Sequence, residues 1–397
     1  SFPVGRITVN LAPANLRKSG TVYDLPIFVG ILTASGQLDW CDPDCAFVGE
    51  LSLSGTLRPV VGMLPMALAA KEAGIERLFV PADSAPEATL AEGLTVYPVE
   101  NVEQLAEHLS GREQISPAPP WSQEGEDLPM PDFAEVRGQE QVKRMLEIAA
   151  AGGHNVLLIG SPGSGKSMLA RRLPSILPDM TRPEALQTTE IYSVAGMTDP
   201  THPLVDVRPF RSPHHTISEV ALVGGGSNPM PGEISLAHNG VLFADELPEF
   251  NKATLEVLRQ PLEDRKITIA RSKYTIEYPC SFMFVASMNP CPCGYFNDPT
   301  HHCVCTPGQI QRYMNKISGP LLDRIDIQVE ITPVPFKDIS KAQPGEPSSA
   351  IRDRVIKARH RQEERFKDVP GVYCNAQMTE RMIHQFAEPD EASIALL

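Results

Sequence analysis

Residues 155–167 read Asn155-Val156-Leu157-Leu158-Ile159-Gly160-Ser161-Pro162-Gly163-Ser164-Gly165-Lys166-Ser167. The first five form a short, branched apolar run, which is typical of a buried strand. The glycine-rich stretch behind them leads into residues 166–173, where the pattern predicts a helix. Glycines here let backbone N–H groups turn inward around phosphate oxygens, and the helix dipole adds to the attraction. Residues 160–167, named here the phosphate loop, are therefore predicted to bind the phosphates of a nucleotide.

An acidic pair follows a second apolar run. Residues 241–246 end in Asp245-Glu246. Lys166 is predicted to reach the β- and γ-phosphates, and Ser167 is predicted to bind Mg²⁺ together with Asp245, which acts through water. Glu246 is then placed to polarise the attacking water. The predicted ligands are thus ATP and Mg²⁺, and the predicted chemistry is ATP hydrolysis.

Two more polar residues are candidates for the same site. Asn289 ends a third apolar run, residues 281–289, and is predicted to orient the water beside the γ-phosphate. Arg324 follows later in a stretch rich in leucine and aspartate. The residues alone leave Arg324 open between a catalytic cation and a surface cation paired with Asp323 or Asp326.

Four cysteines form two closely spaced C-x-C pairs, separated by nine residues: Cys291 with Cys293, and Cys303 with Cys305. Four thiolates are the ligand set of a closed structural Zn²⁺ site, although the spacing within each pair is tighter than usual. The alternative is a loop of free thiols, and His302 is a possible substitute ligand. Cys41 and Cys45 form a weaker pair of the same kind.

Composition limits the classes of protein. The formal net charge is −14, from 35 Lys and Arg against 49 Asp and Glu, which argues against indiscriminate binding to polyanions but leaves room for a local basic loop. No apolar run approaches the roughly 20 residues that span a bilayer, so no membrane association is expected. Eight cysteines among 397 residues are too few for a disulfide scaffold and suit a reducing cytoplasm.

Proline-rich joints divide the chain. The first contains five prolines between residues 117 and 131, and the second begins near residue 335. Helix and apolar strand alternate between them, which predicts an α/β sandwich around a mostly parallel sheet. Predicted strands 6–11, 49–53 and 77–81 and helices 63–73 and 102–109 precede the joints. A predicted helix at 253–260 lies between the joints, and one at 350–366 follows them. We therefore predict a first domain at 1–110, a linker at 111–131, a core at 132–335, and a linker with the start of a helical domain at 336–397.

Within the core, residues 132–334 resemble the AAA+ ATPases of the magnesium-chelatase-like branch, and most closely the ComM/YifB family. The resemblance rests on residues 133–139, 211–215, 245–250, 260–264 and 319–326, together with the phosphate loop. It implies that Asn289 is the sensor residue and that Arg324 is an arginine finger acting on ATP bound to a neighbouring subunit. A finger supplied in this way implies a homo-oligomeric ring, by family analogy a hexamer. The arginine of the helical lid would lie beyond Leu397.

Residues 1–110 resemble the Lon-type protease domain, an α+β fold. The resemblance lies in residues 49–55 and 62–81. The serine of such a protease would fall near Val22 and its lysine near Leu64, and neither residue type is present there. We therefore expect a partial, inactive domain that assembles subunits or guides substrate. Both ends of the chain look interrupted, so we expect a piece of a longer protein.

Residues 265–275 alternate in the manner of a strand and are locally basic, with Arg265, Lys266, Arg271 and Lys273. The resemblance implies a hairpin that points into the ring pore, where basic side chains track a DNA backbone. The alternative is a solvated edge hairpin, because sheet edges are often charged. A second loop of this kind is expected from Arg208, Arg211, His214 and His215.

The resemblance implies a ring-forming motor on single-stranded or branched DNA, in branch migration during natural transformation or homologous recombination. The residues themselves support an ATPase with a basic loop. One alternative is the ATPase subunit of a magnesium chelatase, which remodels a partner protein. Another is a scaffold that uses nucleotide only to assemble.

Overall fold

The computed structural model describes residues 3, 5–11, 18, 20–122, 130–226, 229–271, 274–334, 344–369 and 371–396. The chain divides into two compact units, the first made of Ser1–Glu126 with Thr181–Asp206 and the second of Asp127–Met180 with Val207–Leu397. Within the described ranges, no helix is both long enough and apolar enough to cross a bilayer.

The elements have the following bounds. The strands are β1 (Cys45–Phe47), β2 (Glu50–Leu51), β3 (Leu57–Arg58), β4 (Arg77–Pro81), β5 (Thr95–Val99), β6 (Val156–Gly160), β7 (Phe210–Arg211), β8 (Gly224–Gly225), β9 (Met230–Pro231), β10 (Val241–Ala244), β11 (Lys266–Arg271), β12 (Tyr274–Pro279), β13 (Met283–Met288) and β14 (Ile327–Ile331). The helices are α1 (Asp24–Ala34), α2 (Met63–Glu72), α3 (Ala85–Ala88), α4 (Val102–Leu109), α5 (Glu140–Gly152), α6 (Lys166–Arg172), α7 (Arg182–Val194), α8 (Glu219–Val223), α9 (Glu233–Leu236), α10 (Lys252–Glu256), α11 (Arg259–Asp264), α12 (Pro307–Met314), α13 (Gly319–Leu322), α14 (Ser348–Phe366), α15 (Glu380–Phe386) and α16 (Glu391–Leu396).

The first unit is built on a parallel sheet in the order β1-β4-β5, with β2 and β3 forming a separate antiparallel hairpin. The central strand, β4, is almost wholly apolar and buried, and its bounds are those expected from the sequence. Phe79 on β4 stacks on Phe47, with ring centroids 5.0 Å apart, and on Tyr97, at 4.8 Å. Aromatic neighbours on adjacent strands thus hold this sheet together.

The inserted segment Thr181–Asp206 belongs to the first unit. The sequence assigned it to the core at 132–335, but its helix α7 packs against α2. Glu87 joins the two parts: its carboxylate, 9% exposed as a residue, accepts from the Leu64 amide at 2.8 Å, from the Thr198 hydroxyl at 2.9 Å and from the Ser193 hydroxyl. A buried carboxylate with several donors is a long-range anchor that no local pattern reveals.

Replacing Glu87 with alanine should lower the free energy of unfolding of the first unit by about 3 kcal/mol, because buried donors on two segments lose their acceptor. Glu87→Gln keeps one oxygen acceptor and should cost less. Urea unfolding measures both. The matched control is Glu92→Ala, because Glu92 is exposed and lies 3.6 Å from Arg182. Equal losses for Glu87→Ala and Glu92→Ala would contradict the anchoring role.

The second unit contains a five-stranded, fully parallel sheet in the order β14-β6-β13-β10-β7. Its three central strands, β6, β13 and β10, are apolar and almost wholly buried, as expected for a parallel sheet whose faces are both covered. This is an α/β P-loop fold, and the predicted fold class is confirmed. The carboxyl ends of β6, β13 and β10 lie side by side, and in open parallel sheets ligands bind outside such ends.

Three expectations about elements need correction. The predicted strand 6–11 has no regular structure, since no described strand pairs with it, and the predicted strand 49–53 is reduced to β2. The predicted helix 253–260 is split into α10 and α11, because Pro261 lacks the amide that a continuous helix needs. The helix predicted at 350–366 is α14, which buries Ile351 and Val355 in the core of the second unit.

Candidate functional site

The phosphate loop leaves the carboxyl end of β6 and enters α6. Gly163 and Gly165 have φ of 78° and 92°, which glycine adopts without strain. Gly160 is needed for space, because a β-carbon there would lie 2.6 Å from the carbonyl oxygen of Ile331. The buried Ser164 hydroxyl has no hydrogen-bond partner among the described residues. An open backbone cradle with a spare polar group fits the phosphates of a nucleotide.

Lys166 lies at the centre of this cradle. Its Nζ donates to the carbonyls of Gly160 at 2.7 Å and Ser161 at 3.0 Å, and to Asn289 Oδ1 at 3.2 Å. Burial lowers the pKa of Lys166 from its ordinary value, and the charges of Asp245 and Glu246 oppose that shift. Asn289 follows β13 directly, so the sheet brings the predicted lysine and the predicted sensor amide into contact.

Ser167 and Asp245 also meet, as the predicted Mg²⁺ pair requires. Ser167 Oγ donates to Asp245 Oδ2 at 2.8 Å. The other oxygen, Oδ1, accepts from the Ser287 hydroxyl and from the Glu246 amide, the latter at 3.2 Å. A hydroxyl and a carboxylate at this distance are hard oxygen donors of the kind that Mg²⁺ prefers.

Glu246 stands beside this pair with its side chain 58% exposed. Its φ is 54°, a strained conformation for a residue other than glycine, and its amide is also 3.3 Å from Ser287 Oγ. Glu246 Oε2 lies 3.8 Å from Nδ1 of His215. The carboxylate is therefore held at the mouth of the site, where a water molecule can reach it.

Arg324 lies near the amino ends of the strands, whereas the phosphate loop lies at their carboxyl ends. It precedes β14, and its carbonyl accepts from Nδ2 of Asn155 at 2.8 Å, just before β6 begins. Because β14 and β6 run parallel, with Ile327 opposite Val156 and Ile331 opposite Gly160, the length of β6, about 16 Å at 3.3 Å per residue, separates Arg324 from the loop of its own chain. One side chain cannot span that distance.

The guanidinium of Arg324 pairs with neither Asp323 nor Asp326. It contacts the Glu263 carboxylate and donates to the Pro320 carbonyl at 2.6 Å. The Arg324 side chain is 26% exposed, and its Nε has no partner among the described residues. The alternative pairing with Asp323 or Asp326 is therefore wrong. Arg324 is a partly exposed cation whose carboxylate partner is Glu263.

The four cysteines of the C-x-C pairs converge. Their sulfur atoms all lie within 4.8 Å of one another, and no other group of three or more potential ligands of this kind is found in the described ranges. Hence neither His302 nor the pair Cys41 and Cys45 belongs to such a cluster. The amides of Tyr295 and Val304 donate to Cys293 and lower its pKa to about 6.

The basic hairpin, β11 with β12, is antiparallel. Arg265 lies at its base, where burial lowers the pKa of its guanidinium, which donates to the Ala376 carbonyl at 3.3 Å. Lys266 pairs with Glu277 at 3.0 Å. Lys273 lies outside the described residues, as does the side chain of Arg271. In the sequence Lys273 falls between β11 and β12, and the DNA contact of Arg271 and Lys273 stays a prediction.

The second basic loop is not formed as expected. Arg208 donates to the carbonyls of Pro178, at 2.5 Å, and Asn239, at 2.7 Å, and Arg211 forms a bidentate pair with Glu233. Both guanidinium groups thus brace the second unit.

The sequence identified most of the candidate residues at the carboxyl ends of the strands, but it missed several residues that position them. Ser287, on β13, orients Asp245 and lies only two residues before Asn289. Gln139 has φ of 60° and donates to the Ser164 carbonyl at 2.7 Å. Its place after Gly138 in the resembling stretch was the only signal. His215 was noted as a basic residue, and its nearness to Glu246 depends on the fold.

In the first unit, the positions of the expected protease dyad hold no dyad. Leu64 is fully buried. Beside Val22, Thr21 donates its hydroxyl to Glu50. An apolar side chain at the position of the lysine leaves no base to activate a nucleophile.

Comparison with known proteins gives three family matches along the chain. Residues 132–339 match the family described as magnesium chelatase, subunit ChlI. Residues 1–84 match subunit ChlI of Mg-chelatase, and residues 345–397 match the C-terminal region of the same subunit.

Similar individual proteins include the YifB protein of Escherichia coli K12, described as uncharacterized, which is 45% identical over 92% of this chain and 71% of its own length. The competence protein ComM of Haemophilus influenzae is 44% identical over 96% of this chain and 75% of its own. A solved chain from the complex of magnesium chelatase subunits BchI and BchD is 22% identical over 61% of this chain and 78% of its own, with a TM-score of 0.37.

Proposed function

This chain belongs to the family described as magnesium chelatase, subunit ChlI, whose members are AAA+ ATPases, and from that premise we propose that it is a ring-forming motor on DNA. The proposed motor moves on single-stranded or branched DNA, and its proposed work is branch migration in natural transformation or homologous recombination. The observation that carries the motor proposal is the division of the proposed catalytic groups between the two ends of parallel strands. Lys166 and its neighbours lie at the carboxyl ends and Arg324 at the amino ends.

In the proposed site, the phosphate loop and Lys166 bind the phosphates of ATP. Ser167 and Asp245 would hold Mg²⁺, which supplies charge neutralisation between the β- and γ-phosphates. Glu246 takes the proton of the attacking water, and Asn289, linked to Lys166 at 3.2 Å, orients that water. The phosphate-loop glycines, the spare Ser164 hydroxyl and the Ser167–Asp245 pair all fit this assignment.

Arg324 is proposed to complete the site of a neighbouring subunit. It lies too far from its own phosphate loop, and it is partly exposed with a carboxylate as its present partner. A cation that finishes the active site of the next copy fits a closed, head-to-tail ring, and six subunits is the proposed number. Hydrolysis then depends on assembly, as a motor that steps around a ring requires.

The DNA proposal rests on two observations. The name competence protein ComM belongs to a relative of 44% identity, and the hairpin of β11 and β12 is basic in sequence. The ATPase rate of the full-length protein, with and without forked DNA, tests it. Stimulation by DNA supports the motor. Stimulation only by a protein partner would favour a chelatase-type subunit, and no turnover in any condition would favour a nucleotide-assembled scaffold.

Neutralising Arg271 and Lys273 should weaken DNA binding. For Arg271→Ala with Lys273→Ala, we expect the slope of log affinity against log salt to become shallower by roughly 1.5, because two phosphate contacts are lost. Fluorescence anisotropy at several salt concentrations measures this. The control removes two charges elsewhere, Lys357→Ala on α14 with Lys367→Ala directly after it, where both side chains are exposed. An unchanged salt slope in this variant would show that Arg271 and Lys273 do not contact the DNA.

A further inference from the structure

The geometry of the four cysteines matches one tetrahedral metal ion. The Sγ atoms of Cys291 and Cys293 are 3.4 Å apart, those of Cys291 and Cys303 3.8 Å, and those of Cys293 and Cys303 3.6 Å. Four sulfurs at about 2.3 Å from a central zinc are separated by about 3.8 Å. A disulfide requires about 2.05 Å. The sulfurs are thus close enough to share one ion, and they are too far apart to be bonded to each other.

The loop that carries these sulfurs is not supported by secondary structure of its own. Residues 289–306 contain neither helix nor strand. The loop begins directly after the sensor residue, Asn289, and ends at Thr306, which caps α12 through a capping box with Gln309. Between these two fixed ends, a shared ion is the strongest constraint available on the path of the backbone.

This loop lies directly on the phosphate loop. Gly294 has φ of 88°, and a β-carbon placed on it would lie 2.7 Å from Cδ and 2.8 Å from Cγ of Pro162. Glycine is therefore required at this position for two reasons, backbone conformation and close approach. The loop of residues 291–305 thus contacts the phosphate loop at Pro162, the one phosphate-loop residue that has no amide N–H to donate to a phosphate.

A second contact lies nearby. Asp298, with its side chain 1% exposed, accepts from the Thr300 hydroxyl at 2.7 Å and from the His301 amide at 2.9 Å. The Thr300 donors lower the pKa of this carboxyl, and the Ser161 hydroxyl of the phosphate loop contributes to the same shift. Ser161 Oγ and Asp298 Oδ2 are both buried, although neither completes a well-aligned hydrogen bond with a described residue. Two neighbouring phosphate-loop residues are therefore covered by the cysteine loop.

We propose that Cys291, Cys293, Cys303 and Cys305 bind one Zn²⁺ ion and that the metal-held loop, residues 291–305, clamps the phosphate loop in its nucleotide-binding shape. Zinc then acts at a distance on ATP affinity, through Pro162 and Ser161 and through the adjoining Asn289. The clamp rests on the proposed function, because it requires that the phosphate loop bind ATP. The zinc ion itself does not depend on that function.

The first test is elemental analysis of the full-length protein, purified without chelator. We expect about one zinc per chain, and Cys303→Ser with Cys305→Ser should lose it. Cys41→Ser with Cys45→Ser, in the first unit, is the matched control and should keep the metal. Less than about half an equivalent of zinc in the wild-type protein would end the proposal. A red, iron-loaded protein would replace zinc by iron in the same site.

The second test separates the clamp from the metal. Gly294→Ala keeps all four sulfur ligands but forces the loop away from Pro162, so zinc content should stay unchanged while ATP affinity falls by about tenfold or more. Titration calorimetry with ATP and Mg²⁺ measures the affinity. Gly371→Ala is the control, because Gly371 has a similar φ of 80° with no neighbour within 4 Å of its added β-carbon.

The outcomes are distinct. If wild-type protein binds ATP and both Gly294→Ala and the zinc-free cysteine variant bind it equally well, the clamp is overturned while the ATPase proposal stands. If wild-type protein binds no ATP, the proposed function fails and takes the clamp with it. Weaker binding by both variants, with thermal unfolding showing that the sheet remains folded, supports the clamp.

Discussion

Replacing Glu246 with glutamine is expected to lower the ATPase rate by roughly 10²- to 10⁴-fold, with ATP affinity within about threefold of the wild-type value. Glutamine has the size of glutamate but cannot accept a proton from water. The substitution should fit without rearrangement, because the Glu246 side chain is 58% exposed and its amide, rather than its carboxylate, is bonded to Asp245 and Ser287. Steady-state hydrolysis and ATP titration with Mg²⁺ measure the two quantities.

The matched control is Glu249→Gln, three residues further along. The Glu249 carboxylate is 3.1 Å from Lys316 at the surface and makes no contact with Lys166, Ser167 or Asp245 that the structure records. Its loss should change the rate by no more than about threefold, since surface ion pairs contribute little. A Glu246→Gln variant as active as Glu249→Gln would show that another group activates the water.

Removing the guanidinium of Arg324 should have a comparable effect by a different route. Arg324→Ala is expected to reduce the rate by about 10³-fold, because an arginine finger neutralises charge that develops in the transition state. ATP binding to the monomer should be unaffected, since Arg324 lies near the amino ends of the strands and the phosphate loop of the same chain lies at their carboxyl ends. Arg324→Lys should recover little, because the fork of donors is lost.

Mixing the two inactive variants distinguishes a finger in trans from one in cis. In a mixed ring, a Glu246→Gln subunit offers an intact Arg324 to a neighbour whose Glu246 is intact, so activity should return, to about a quarter of the wild-type rate for random mixing into rings. No recovery in rings shown to be mixed would contradict the arrangement. Arg361→Ala, at an exposed position on α14, is the control for loss of a surface arginine.

Much of the fold was readable because its signals are local. The buried strand at Arg77–Pro81 and the helix Val102–Leu109 have the predicted bounds, since apolar runs and caps act over a few residues. The predicted fold class and family resemblance are confirmed. The predicted strand at 6–11 failed because a strand exists only where another strand accepts its hydrogen bonds, and residues 6–11 cannot specify that partner.

The candidate site was predictable to a similar extent. Lys166, Ser167, Asp245 and Asn289 each follow or end an apolar run, so their place at the carboxyl ends of strands could be inferred. Their catalytic roles stay predictions, as do the zinc ligands and the DNA contacts. The three arginines Arg208, Arg211 and Arg265 were predicted to form basic loops, because charge is visible in the sequence. Their guanidinium groups instead bind carbonyls and a carboxylate that are distant in the chain.

The sequence by itself determined the phosphate loop, because glycine spacing between a strand and a helix dictates a local backbone shape whatever surrounds it. The tertiary structure alone decided that the phosphate loop lies at the carboxyl ends of the strands and Arg324 at their amino ends. It also decided that Gly294 meets Pro162 and that Glu87 anchors an inserted helix. These contacts depend on strand order and long-range packing, whose free energy comes from residues far apart in the chain.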